Sequence, residues 1–244
     1  MTSGTVYGVG LGPGDPELLS VRADRLLRSA RHVAFFRKAG RKGQARQIVE
    51  GLIPPGAAEL PMEYPVTTEI PVSDPRYNCI LSEFYAACTD RLRALAETGE
   101  DVVVLCEGDP FFYGSFMHLH ARLRDVVPVE IVPAITGMSA AWTATGEPVT
   151  WGDDVLTVLM GTLPEVELAR RMADTDALVV MKIGRNLDKV RRALQAAGKY
   201  EAAWLVEYAA MPGQTVQRLS EFCDGARVAP YFSIVVVHGE GRRP

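Results

Sequence analysis

Short apolar segments alternate with amphipathic ones along nearly the whole chain, and this alternation is the strongest constraint on its fold. Strand-like runs fall at 5–9, 32–36, 102–106, 129–132, 156–160, 177–181, 203–207 and 231–237. Helix-like segments follow most of them. In 16–30 the residues Leu19, Ala23, Leu26, Leu27 and Ala30 share one helical face. Residues 186–197 repeat the pattern with Leu187, Val190, Leu194 and Ala197, and Gly198 is placed to stop that helix. Strand and helix in alternation imply α/β architecture with largely parallel strands.

The 244 residues suit one large domain or two of ordinary size. A proline-dense stretch, 52–75, shows little periodicity and reads as loop or irregular strand. A long helix follows, from Asp74 or Pro75 to Glu97. A new β/α series begins after VPAITGMSAA, 132–141, so the boundary is expected near Pro133, giving domains 1–133 and 134–244. Ligands of such proteins favour clefts and strand carboxyl ends.

Composition removes several classes of function. Hydrophobic residues make up 48% and charged residues 23%, which supports an ordinary core. The net charge of −4 argues against a general nucleic-acid binder. No apolar run approaches the roughly 18 residues of a membrane span, and MTSGTVYGV shows no secretory pattern. Cys79, Cys88, Cys106 and Cys223 form no CxxC pair and read as reduced thiols of a cytoplasmic protein. His118 and His120, two apart on a helix, point to different faces and make a poor metal pair.

Two turns stand out. VYGVGLGPGDPELLS, 6–20, runs from strand through glycines into a helix. It resembles a dinucleotide loop only at first sight. Counted from Gly8 or from Gly10, the GxGxxG spacing places Pro13 or Asp15 where the third glycine belongs. Asp15-Pro16 is a helix-capping pair, and its carboxylate is expected where a phosphate would sit. CEGDPFFYGSFMHLHARL, 106–123, repeats the logic: strand VVVLC delivers Glu107-Gly108-Asp109-Pro110, and a helix is expected from about Tyr113. Backbone plus acids suits a ligand with an amine or ribose hydroxyls better than a phosphate. RKAGRKGQAR, 37–46, concentrates Arg37, Lys38, Arg41, Lys42 and Arg46 after the second strand, either as a site for carboxylates or as a solvated loop.

VGLGPGDPELLS resembles the opening signature of the tetrapyrrole methylases, and EGDPFFYGSF their internal GDPxxYG motif. VPAITGMSAA resembles their third motif. The resemblance spans essentially the whole chain. It implies two α/β domains with a cofactor cleft between them, S-adenosylmethionine as methyl donor, S-adenosylhomocysteine as product, and a homodimer. Together, EGDPFFYGSF, MGTLPEVEL and VMKIGRNLDKV most resemble members that methylate C-20 of precorrin-2 to precorrin-3A in cobalamin (vitamin B12) biosynthesis. A cobalt-containing substrate and another ring position stay open, as does a diphthine precursor of an elongation factor. A nucleotide-binding enzyme and a regulatory module are the alternatives of other classes.

Carried over by position, the resemblance implies Pro13 near the adenosyl group, and Glu107, Gly108, Asp109 and Phe112 at the amino-acid end. Tyr113 adjoins them. Thr136 and Gly137 match the third motif, Lys182 or Ile183 the position after a strand, and Ala209 a glycine of sirohaem-pathway relatives. Ser233 and Ile234 lie on the last strand. Many of these contacts are expected through main-chain atoms. Some sirohaem-pathway relatives carry an aspartate after the second strand; VAFFRKAG has no acid, so no catalytic base is assigned.

Overall fold

The computed structural model describes residues 3–66, 74–222 and 228–242. Cys223 lies outside the described residues, as do 67–73 of the proline-dense stretch. The chain divides into two compact units, Met1–Thr136 and Gly137–Pro244.

In the first unit, β1 (Val6–Gly10) leads through a short 3-10 turn at Pro16–Leu18 to α1 (Val21–Ser29). Then come β2 (His32–Lys38), α2 (Gln44–Ile48), β3 (Ala58–Tyr64), α3 (Pro75–Glu97), β4 (Val102–Cys106), α4 (Phe116–Leu123) and β5 (Val129–Val132). The sheet order is β3-β2-β4-β1-β5, and every pairing is parallel. Side chains alternate across it. Val6, Ala34, Val102, Val104 and Cys106 pack under α3 and α4 with Leu92, Phe116 and Leu119. Val9, Val33, Phe35, Val103 and Leu105 pack under α1 and α2 with Leu27 and Ile48. A sheet apolar on both faces is what a parallel, helix-covered sheet requires.

In the second unit, α5 (Gly137–Ala144) precedes β6 (Leu156–Met160), α6 (Glu165–Ala173), β7 (Ala177–Met181), α7 (Leu187–Ala196), β8 (Trp204–Glu207), β9 (Thr215–Arg218) and β10 (Ser233–Val237). The order is β6-β7-β10-β8-β9. Only β6 and β7 run parallel; β10 is antiparallel to β7 and β8, and β8 to β9. The expectation of largely parallel strands holds for the first unit and fails for the second. Strands β8 and β9 are joined by a short turn, which permits only an antiparallel pair, and β10 is inserted between β7 and β8 running against both. Helices α6 and α7 cover one face and α5 the other. Among the described residues no helix is long and apolar enough to cross a membrane.

Several boundaries moved for identifiable reasons. The helix expected from Pro16 starts at Val21, because Ser20 caps it by accepting from the Ala23 amide at 3.1 Å. Asp15 caps only the 3-10 turn, accepting from the Glu17 amide at 2.9 Å. The helix expected near Tyr113 starts at Phe116. Residues 58–64, read as loop or irregular strand, form β3: Leu60, Met62 and Tyr64 face the core while Glu59, Pro61 and Glu63 alternate with them. Proline is tolerated because β3 is an edge strand. Strand β9, polar and short, was not foreseen. The stop at Gly198 is a Schellman turn: the Gly198 amide donates to the Gln195 carbonyl at 3.1 Å and the Lys199 amide to the Leu194 carbonyl at 2.9 Å, with Gly198 at φ 69°.

Candidate active site

The order β2-β4-β1-β5 decides which loops meet. In a parallel sheet all carboxyl ends share one edge, so the segments after β2, β4, β1 and β5 lie side by side there. These are the basic segment, the second turn, the first turn and the third motif. Hydrogen bonds join the three motifs directly. The Leu11 amide donates to the Cys106 carbonyl at 2.9 Å, and the Gly108 amide to the Gly12 carbonyl at 2.8 Å. Asp109 spends both carboxylate oxygens on amides: Phe111 at 2.9 Å and Ala134 at 3.0 Å. The aspartate therefore caps its own turn and ties it to the third motif.

Gly10 is demanded by this junction. A β-carbon there would stand 2.6 Å from the Ala134 β-carbon and 2.9 Å from the Gly108 carbonyl oxygen. Gly108 is demanded by conformation, at φ 65°. Pro13 is buried and Phe112 half-buried beside the Tyr113 ring at 4.9 Å. Tyr113 itself is exposed and holds φ 55°. Thr136, half-buried, is the last residue of the first unit.

Glu107 keeps solvent-accessible surface, yet crowding by protein atoms pushes its carboxyl above the ordinary range. The Ala45 amide, donating to its Oε1 at 3.2 Å, offsets part of that rise. Desolvation is the larger of the two effects. Cys106, on the strand below, is fully buried, and burial raises its thiol far above the usual value.

The five cations of the basic segment are not equivalent. Arg37 is paired with Glu63 at 2.7 Å and Arg46 with Glu59 at 2.8 Å, both carboxylates coming from the outward face of β3. Lys42 lies 3.6 Å from exposed Glu50. Lys38 stands opposite Tyr64 in the β2–β3 register. Arg41 is exposed at the tip and has no carboxylate partner among the described residues. The segment thus carries less free positive charge than its composition suggests. His118 stacks on Tyr85 at 4.4 Å and His120 meets the edge of Phe111 at 4.7 Å. Among the described residues no cluster of three His, Cys, Asp or Glu side chains could hold a metal ion.

In the second unit, Lys182 and Ala209 follow the carboxyl ends of β7 and β8, and Ser233 begins β10, which runs back between them. Ser233 is in register with Glu207. Antiparallel placement of β10 therefore brings Ser233 and Ile234 to the same edge as Lys182 and Ala209. Ile183 is fully buried in the core beneath α7, so only its backbone is presented. Ile234 and Ala209 pack on the face covered by α5. A β-carbon on Gly137 would find only the Ile234 Cδ1, at 3.7 Å. The Ser233 hydroxyl is buried with no hydrogen-bond partner among the described residues.

Backbone strain marks the same places. Among the described residues the non-glycine positions with left-handed backbone are Tyr113, Lys182, Tyr208 and Ala210, at φ 54–56°. One lies in the second turn; the others flank the strand ends that present Lys182 and Ala209. Such conformations cost about 1–3 kcal/mol each and gather at ligand sites. Sequence reading missed Tyr208 and Ala210 because no glycine announces them.

The first unit gathers turns of backbone and acid at the carboxyl edge of a helix-covered α/β sheet, and sequence comparison gives the family. The model of the tetrapyrrole (corrin/porphyrin) methylases matches residues 5–222, and the chain belongs to that family. It is 51% identical over 241 residues to the precorrin-2 C(20)-methyltransferase of a Sinorhizobium species, covering 99% of this chain and 98% of that one. It is 29% identical over 239 residues to the cobalt-precorrin-2 C(20)-methyltransferase of Salmonella typhimurium, covering 97% of each. Uroporphyrin-III C-methyltransferase from Thermus thermophilus, complexed with S-adenyl homocysteine, has the same fold: TM-score 0.68 and 26% identity over 96% of this chain and 92% of that one.

Proposed function

We propose that the chain transfers one methyl group from S-adenosylmethionine to C-20 of precorrin-2, giving precorrin-3A in cobalamin biosynthesis. The observation that carries this reading is the 51% identity, end to end, to a precorrin-2 C(20)-methyltransferase, set against 29% to the cobalt-precorrin-2 enzyme. The difference favours the metal-free ring.

The residues present fit the cofactor. S-adenosylmethionine supplies a methyl already activated on a sulfonium. Glu107 offers an accessible carboxylate to the ammonium of its amino-acid end, with Gly108, Asp109, Phe112 and Tyr113 in the same turn. Pro13 and Thr136 are assigned to it from the neighbouring motifs. Gly137, Lys182, Ile183, Ala209, Ser233 and Ile234 are assigned mainly backbone contacts. The buried Ser233 hydroxyl, without a hydrogen-bond partner among the described residues, is available to the ligand.

The acceptor meso carbon is enamine-like and nucleophilic, so the protein's task is to hold two molecules in line and exclude water. The substrate's carboxylates are assigned to Arg37, Lys38, Arg41, Lys42 and Arg46, with Arg41 first because it has no competing carboxylate among the described residues. No proton acceptor is assigned. The working protein is proposed to be a cytoplasmic homodimer, on the family resemblance and the unpaired cysteine spacing.

Incubation with S-adenosylmethionine and either metal-free or cobalt-containing precorrin-2, followed by mass spectrometry and NMR, tests this. One added methyl at C-20 of the metal-free ring is expected. A methyl at another carbon, or turnover of the cobalt form alone, overturns the assignment.

A further inference from the structure

The first unit holds a cluster of hydroxyls and rings that no motif announces. Ser115 directly follows the second turn and stands at the N-terminus of α4, yet its side chain makes no capping hydrogen bond. Its hydroxyl is engaged elsewhere. It is hydrogen-bonded to the Tyr64 hydroxyl, and it accepts from the Tyr85 hydroxyl at 3.3 Å. The rings around this triad are in contact. Tyr64 stacks on Phe36 at 5.3 Å and 18°, and Phe84 lies 5.2 Å from Tyr64 and 5.3 Å from Tyr85. Tyr64 and Phe36 are half-buried, so the layer is anchored below and open at its rim.

The location is informative. Tyr64 is the last residue of edge strand β3, and its register partner is Lys38 of the basic segment. Ser115 ends the turn that carries Glu107 to Tyr113. One hydrogen bond thus joins the strand ends beside the cations to the turn beside the first glycine loop. On the function proposed above, those two places hold different molecules, acceptor and donor. Their relative placement sets whether methyl and carbon meet in line, a quantity to which rate is far more sensitive than affinity.

We infer that Tyr64 is a positioning residue for methyl transfer: through Ser115 it holds the second turn in register with the strand ends that carry the basic segment. It touches no reacting atom and moves no proton.

The test uses the full chain with Tyr64→Phe, Ser115→Ala and the double variant. Tyr64→Phe keeps the ring stack and removes only the hydroxyl. Turnover on the tetrapyrrole is expected to fall about tenfold, well inside the range that misplacement produces. The Michaelis constant and the S-adenosylhomocysteine dissociation constant should stay within about twofold. The double variant should be no slower than Ser115→Ala alone, since that substitution already removes the Tyr64–Ser115 bond along with the one from Tyr85. Ser115→Thr, which restores a hydroxyl, should recover most of the rate. Unchanged turnover, additive losses, or losses that only follow the melting temperature overturn the inference. Hydrogen exchange across 107–115 gives a readout that needs no substrate: it should quicken in Tyr64→Phe. Unchanged exchange there sinks the positioning role even if C-20 methylation proves correct. Quickened exchange in a protein that methylates another carbon sinks the proposed function and leaves the role standing.

Discussion

The two units reach the same kind of edge by different routes. In the first, five parallel strands bring every strand-end loop to one side, and chain direction alone does the gathering. The turns are made mainly by glycine, with Gly108 at φ 65°, and Tyr113 at φ 55° is the exception among the described residues. In the second, a strand running the other way supplies part of the edge, and left-handed turns are made by Lys182, Tyr208 and Ala210. Glycine adopts such a backbone without strain, whereas an L side chain does not. The first unit therefore advertises its site in its sequence, and the second conceals it.

The largest expected effect concerns what holds the glycine turns together. Asp109 accepts from two amides of different segments, Phe111 and Ala134. Hydrogen bonds to a charged acceptor contribute about 1.5–3 kcal/mol each. Asp109→Ala should thus cost roughly 3 kcal/mol and lower the melting temperature by about 6–12 °C. Weaker S-adenosylhomocysteine binding should accompany it, because the second turn and third motif lose their tie. A loss under about 1 kcal/mol would show that the motifs are held independently, and parallel topology alone would then account for their meeting.

A pair of opposite substitutions probes the difference between glycine and strained turns. Gly108→Ala places a side chain at φ 65° and should destabilise by about 1 kcal/mol. Ala210→Gly removes one from φ 56° and should stabilise by up to about 1 kcal/mol, after the extra freedom glycine gives the unfolded chain is discounted. If the strained turn is kept for its ligand, Ala210→Gly should also bind S-adenosylhomocysteine less tightly, since a softened turn must be ordered on binding. Urea unfolding and calorimetry measure both quantities. Destabilisation by Ala210→Gly would mean that its methyl packs and that the left-handed backbone is not a strained reserve.

That contrast explains what was legible beforehand. The alternation of apolar segments revealed eight of the strands, because each buries at least one face. Strand β3 was hidden by Pro54, Pro55, Pro61 and Pro65, which dominate a window whose real signal is Leu60-Met62-Tyr64. Strand β9 carries TVQR, too polar and short to register. Direction was illegible in the second unit, since a buried strand looks alike whichever way it runs. The pairing of glycine with acid at a strand end singled out Glu107 and Asp109, and the family motifs matched the same turns. What each acid does was not visible, because it depends on amides 62 and 25 residues away. The basic segment misled by composition: its charge is partly cancelled by Glu59 and Glu63, which lay in the stretch taken for loop.

The smallest expected effect separates the two acids of the second turn. Asp109 has its charge met by two amides, whereas Glu107 is crowded, receives one amide from Ala45, and has its carboxyl raised above 4.5 mainly by desolvation. The sign follows from linkage. A carboxyl whose folded value lies above its unfolded one binds its proton more tightly in the native state, so it favours folding while protonated. That contribution is complete below the unfolded value near 4.5 and is lost as pH rises through the folded value. Glu107→Gln keeps an acceptor for Ala45 and cannot ionise. The variant should match the wild type in melting temperature near pH 4 and exceed it slightly above the raised value, with the gap opening as pH climbs. S-adenosylhomocysteine affinity should move the other way, weakening in the variant at pH above the raised value, where the wild-type carboxylate can meet the ligand's ammonium. A stability gap that is constant from pH 4 to 8 would show that Glu107 titrates alike in folded and unfolded chains. Unchanged affinity would remove Glu107 from the cofactor's amino-acid end and leave the turn to its backbone.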